Sequence, residues 1–143
     1  MDKDKPVGGQ WNYDKDNQKK APRTLPLIQP FRAQYSPDQS SQIQQVKKLI
    51  DKVFPNYYGS IDDFHFALCQ DQALKSLEYF IENHLTHFGI HQDIMMQDNP
   101  WLYHSHISFS LNIGLLEPLI CLQKAQVAYE KNHAPLNSVE GFI

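Results

Sequence analysis

The pattern of apolar and polar positions changes near Ser36. Beyond that point apolar residues recur at three- and four-residue steps, the period of a helix with one buried face. In "SPDQSSQIQQVKKLIDKVF" the residues Ile43, Val46, Ile50 and Val53 share a stripe, and Ser36, Pro37 and Asp38 supply a helix start. "FPNYYGSIDDFHFAL" follows, where Pro55, Asn56 and Gly59 mark an irregular crossing. "DQALKSLEYFIENHLTHFG" carries the clearest helical pattern, with Leu74, Leu77, Ile81 and Leu85 in step and Gly89 as the expected stop. A short polar helix is expected in "HQDIMMQD". "WLYHSHISFSLNIGLLEP" reads as an apolar helix whose first turns carry His104, Ser105, His106 and Ser108, broken near Gly114 and Pro118. "LEPLICLQKAQVAYEKNH" predicts a further amphipathic helix, and "APLNSVEGFI" opens one more at Asn137 or Ser138. No segment alternates as a strand. The pattern predicts an all-α fold.

Residues 1–35 behave differently. They hold Pro6, Pro22, Pro26 and Pro30, a Gly8-Gly9 pair and alternating charges, with neither helical nor strand periodicity. Trp11, Tyr13, Leu25, Leu27, Ile28 and Phe31 are nevertheless too apolar for a solvated tail. The expected division is therefore an irregular linker or docking arm over 1–35 and a helical unit over 36–143. The arm is expected to lie on a surface that this chain need not contain. At the other end, a helix start followed by one turn leaves Val139, Phe142 and Ile143 with little to pack against. Short helices need tertiary support, so the chain reads as part of something longer.

Composition narrows the classes. At 143 residues, 41% apolar and 20% charged, the chain is long enough for one domain with a core. A net charge of −3 argues against a strongly basic nucleic-acid module. No run approaches a membrane helix, and "MDKDKPVGGQ" lacks the apolar stretch of a signal peptide. Cys69 and Cys121 stand apart, without CxxC or zinc-finger spacing, which makes a reducing cytoplasm the default.

Five blocks carry a resemblance: "GGQWNYDKDNQK", "FPNYYGSIDDF", "FGIHQDIM", "HSHISFSLNIGLL" and "PLNSVEGFI". In this order they resemble the iron–sulfur bacterial cryptochromes and photolyases, also called deoxyribodipyrimidine photolyase-related proteins. The resemblance covers nearly the whole chain. It implies the linker and first helices of a helical FAD-binding domain, in a flavoprotein that uses light to pass an electron from reduced FAD to a UV lesion in DNA. The (6-4) lesion is the type it implies. UV-damaged DNA is the implied partner, and no protein partner is indicated. The family also implies a 4Fe–4S cluster and a lumazine-type antenna, with ligands mostly outside this chain. A cryptochrome-like blue-light photoreceptor that binds FAD without repairing DNA is the alternative.

The resemblance also implies a site. "HSHISF" is similar to the Thr-Ser-x-Leu-Ser-Pro segment that begins the FAD pyrophosphate site in photolyases, so His104, Ser105, His106, Ile107 and Ser108 are the implied cofactor-binding residues. Phe109 stands where Pro is usual, which shifts or widens the first turn. The chemistry suits a helix start: unpaired N–H groups and the positive dipole end attract phosphate oxygens, and small hydroxyls add donors. Ser105, Ser108 and Asn112 would form one polar row. On spacing alone, Ser105 is an ordinary helix cap.

Other residues admit blander readings. His84, His87 and His91 could present three imidazoles on one face, as zinc requires, but Gly89 is expected to end the helix between them. His91, Gln92 and Asp93 match a family block near the flavin without a specific role, and Asp93 serves equally as a local cap. Met95, Met96, Trp101 and Tyr103 suit core packing better than an electron path. Lys47, Lys48 and Lys52 form a modest basic edge of the kind usual on a solvated helix.

Overall fold

Ser36 starts the first long helix as its sequence predicts. Its hydroxyl accepts from the Gln39 backbone N–H at 3.2 Å, while the Gln39 side chain accepts from the Ser36 N–H at 3.1 Å. This reciprocal capping box satisfies two otherwise unpaired donors. In the computed structural model, which describes residues 5–17 and 19–143, the helices are α1 (Asp14–Asn17), α2 (Pro37–Val53), α3 (Gln70–Asn83), α4 (Leu85–His91), α5 (Ser108–Asn112), α6 (Pro118–Glu130) and α7 (Leu136–Phe142). A single 3-10 turn covers Val7–Gly9. No strand element occurs among the described residues, and the fold is all-α. Irregular chain over 54–69 forms the crossing that the sequence predicts, whereas that over 92–107 is more extensive than the periodicity predicts.

Two apolar clusters hold the helices together. Ala73 and Leu77 of α3 pack with Ala67, Ile107, Leu116 and Cys121. One turn further along, Phe80 joins Leu85, Ala125, Ala128, Ala134 and Val139. The apolar stripe of α2 belongs to neither cluster: α2 has no buried residue, and Val46, Leu49 and Val53 are all at least half exposed.

The helix expected to run unbroken to Gly89 breaks at His84, whose φ of −120° and ψ of −34° leave the helical region. The His84 ring is buried there between α3 and the Trp101–Ile107 loop, edge-on to Tyr79, Phe80 and Tyr103. Gly89 does not stop anything. It lies buried inside α4, and its N–H donates to the Ser138 hydroxyl at 3.1 Å. A Cβ at Gly89 would lie 2.8 Å from Ser138 Cα and 2.6 Å from Asn17 Oδ1, so glycine is required by the close crossing of α4 and α7. The polar helix expected in "HQDIMMQD" is replaced by turns.

The last helix also differs from expectation. Val139 is buried, and Phe142 packs on Phe80 and Phe88 with ring centroids 5.0 and 5.9 Å apart. Only Ile143 is largely exposed. Likewise the arm docks on this chain's own helices. Asn17 is 1% exposed and exchanges two hydrogen bonds with Asn137, at 2.9 and 2.8 Å. Further along, Asn99 donates to the Pro26 carbonyl, Tyr79 to that of Gln29 and Gln72 to that of Gln34. Trp11 and Leu27 stay exposed.

Candidate functional site

The segment from Trp101 to Ile107 is a loop, and it brings the candidate residues to the front of α5. The helix begins at Ser108, so His104, Ser105 and His106 precede it instead of forming its first turns. The physical reason lies in the backbone. Leu102 and His106 adopt φ values of 44° and 53°, the left-handed region that costs a side-chain-bearing residue roughly 1–2 kcal/mol. The His106 ring fixes this shape: Nε2 lies 2.9 Å from the Trp101 carbonyl oxygen, a contact in which the ring nitrogen donates, and the imidazole stands edge-on to the indole. Leu102 is 2% exposed and anchors the loop in the core. The expected polar row of Ser105, Ser108 and Asn112 therefore does not form as one helical face.

The five candidate residues divide by environment. The side chain of Ile107 is buried in the apolar cluster beneath α3, which makes it a core residue whose backbone alone is available. Ser108 is exposed at the first helical position. Leu111 makes the first bond back, to the Ile107 carbonyl, so the N–H groups of Ser108, Phe109 and Ser110 have no partner inside the helix. His104, Ser105 and His106 are half-buried. Burial pulls the His104 pKa down, the neighbouring His106 adds to this, and Asp93 opposes it.

Three more histidines gather around Tyr103. Its ring centroid lies 6.0 Å from that of His84, 4.9 Å from His87 and 5.2 Å from His91, which stacks on it. The break at His84 sets this arrangement. His84 and His91 are both held below the usual imidazole range, first by burial. Among the described residues no three histidine, cysteine or carboxylate side chains come together as a metal site. Cys69 precedes α3 and Cys121 lies buried in α6, both as free thiols, and burial pushes the Cys121 thiol up. Met95 is exposed, while Tyr103 packs in the interior.

A residue that sequence reasoning passed over completes the site. His65, in "DDFHFAL", is 6% exposed and touches the candidate loop through Trp101, with ring centroids 4.9 Å apart. Its signal in the sequence is a single imidazole flanked by Phe64 and Phe66 in an otherwise irregular crossing. His65 lines a cavity of about 20 Å³ together with Phe31, Ser76, His84, Ser105 and Ser110.

Residues 1–66 match the family model described as deoxyribodipyrimidine photo-lyase-related protein. Over all 143 residues the chain is 39% identical to a (6-4) photolyase from Agrobacterium fabrum. The chain is similar to photolyase-related proteins along its whole length. It spans 27% of the length of that relative. The family-model match takes in the arm, α2 and the crossing up to Phe66, whereas the His104–Ser108 loop lies in the part matched by the relative alone. No helix among the described residues is long and apolar enough to cross a membrane.

Proposed function

We propose that this chain contributes one wall of the flavin site in a light-driven, FAD-dependent DNA photolyase acting on the (6-4) class of UV photoproduct. The observation that carries the reading is the 39% identity to a (6-4) photolyase over an alignment that spans all 143 residues, the candidate loop included. FAD, when bound and reduced, would supply the electron that light transfers to the lesion. The part played by this chain is positioning. Ser108 and the free N–H groups at the front of α5 suit a pyrophosphate oxygen, and the half-buried Ser105 and His104 flank the approach. Phe109, 37% exposed, adds an apolar face beside them.

The fit is partial in an informative way. The cavity touching the loop is about 20 Å³, whereas a cofactor site takes several hundred. The flavin would therefore lie on the outer side of α5, with its remaining contacts supplied by other parts of a longer polypeptide. Cys69 and Cys121 do not make a four-cysteine cluster. The domain reading takes the same form: an arm over 1–35 that lies against a helical flavin-binding unit starting at Ser36, in a protein of the cytoplasm.

The test is repair under blue light by the full-length protein, given DNA carrying either a (6-4) or a cyclobutane lesion. Loss of the (6-4) lesion in light and not in darkness is expected. Bound flavin without repair of either lesion would instead mark a photoreceptor of the cryptochrome type.

A further inference from the structure

His65 has a hydrogen-bonding capacity that the protein itself leaves unused. Its Nδ1 lies 2.6 Å from the Asp63 carbonyl oxygen and 3.7 Å from the Asp63 carboxylate, so Nδ1 carries a proton, and in the imidazole form Nε2 is the acceptor. Nε2 is buried and no protein group donates to it. The ring cannot easily turn away. It stacks on Phe66 with centroids 4.8 Å apart and meets the edge of Trp101, while the His65 carbonyl accepts from the Ala33 N–H at 3.1 Å. A buried acceptor without a donor is costly, so such an atom calls for one.

The neighbouring cavity is of the right size and polarity to supply that donor. Its volume of about 20 Å³ is enough for a water molecule, and a buried water needs two to four polar partners. The hydroxyl-bearing residues Ser76, Ser105 and Ser110 line it with His65. We propose that this cavity is a binding site for a single water, which donates to His65 Nε2 and is held on its other side by Ser105. Through that water His65 is a positioning residue for the Trp101–Ile107 loop. Within the loop, hydrogen bonds from His106 Nε2 and the His104 N–H both end on Trp101; outward, the Ile107 carbonyl accepts from Leu111 of α5 and the His104 backbone bonds the His84 ring, and none of these reaches the crossing. The water joins it instead to the crossing, and through Ala33 and the Arg32–Asp63 ion pair of 2.6 Å to the arm. Ser105 accepts from this water and keeps its own O–H free to donate, so the inference does not depend on flavin binding.

Two variants test it, alongside the unaltered protein. His65→Phe keeps the ring contacts with Phe66 and Trp101 but removes the acceptor; His65→Gln returns an acceptor near the position of Nε2. High-resolution crystal structures of all three should show an ordered water within hydrogen-bond reach of residue 65 in the unaltered protein and in His65→Gln, and not in His65→Phe. Amide hydrogen exchange over 104–108 should speed up about tenfold in His65→Phe, as loss of one hydrogen bond implies, be restored in His65→Gln, and stay unchanged in α6 in both. A dry cavity in the unaltered protein overturns the proposal. So does a water bonded elsewhere than to Nε2, or loop exchange that His65→Phe leaves unchanged.

Discussion

Helices α2 and α4 make opposite uses of their sequences. Helix α2 has every local signal: a capping box, Pro37 in the first turn, Asp38 beside it, Lys52 in the last turn and seventeen residues of even periodicity. Yet none of its residues is buried. Helix α4 has seven residues, a glycine in its interior and no side-chain cap, and Leu85 and Gly89 are buried. Local propensity holds the first in place; the second exists because α3, α7 and the arm enclose it. Intrinsic signals mark where a helix can form, and tertiary packing decides where it must.

The comparison is broken most severely at Gly89. Gly89→Ala places a methyl group against the Ser138 backbone and the buried Asn17 amide, where neither can retreat without separating α4 from α7. Overpacking of this kind costs about 1–3 kcal/mol, and urea melts should show it as a lower midpoint with unchanged slope. A Gly89→Ala variant as stable as the parent would mean the α4–α7 contact is looser than described.

Acid should act on the same side of the molecule. Burial holds His84, His91 and His104 below the ordinary imidazole value of 6.5 in the folded state. The unfolded chain therefore binds more protons once the pH drops beneath that value. The stabilisation is fully present above pH 6.5 and is lost as the pH falls from there toward the depressed folded values. Melting temperature should fall between about pH 7 and pH 5, and His84→Leu should flatten that dependence. A dependence as steep in the variant as in the parent would remove His84 from its cause.

The smallest effect belongs to α2. Leu49 is 59% exposed and touches no core cluster. Leu49→Ser should change stability by no more than about 0.5 kcal/mol in denaturant melts. A larger loss would show that the face of α2 carrying Leu49 is covered in solution.

These differences explain what is legible in the sequence. The Ser36 start is readable because capping is chemistry between neighbours. The all-α class is readable because periodicity survives any packing. The break at His84 is not, since the apolar rhythm of Leu77, Ile81 and Leu85 continues through it; only the aromatic surroundings from Tyr79, Phe80 and Tyr103 explain it. Gly89 misleads because a missing side chain serves close approach as well as termination. The arm's target is invisible for a related reason, as Asn17 and Asn137 stand 120 residues apart. At the candidate site, family resemblance identifies the His104–Ser108 segment, but its backbone depends on Leu102 and His106, whose left-handed conformations no local rule predicts. His65 stays hidden because its importance comes from an unpaired nitrogen, a property of the folded state alone.

The central claim is that the His104–Ser108 segment holds the phosphates of FAD. In the full-length protein, Ser105→Ala combined with Ser108→Ala removes two candidate donors to a charged group, each contributing roughly 1.5–3 kcal/mol. Flavin affinity should then fall by about a hundredfold or more. The matched control is Ser40→Ala with Ser41→Ala, on the exposed first turns of α2. Flavin per protein, measured by absorbance beside the melting temperature, decides the matter. Lost flavin with a preserved melt in the first variant, and neither change in the second, is the predicted result; a Ser105/Ser108 variant that melts early yet keeps its full flavin would contradict the account.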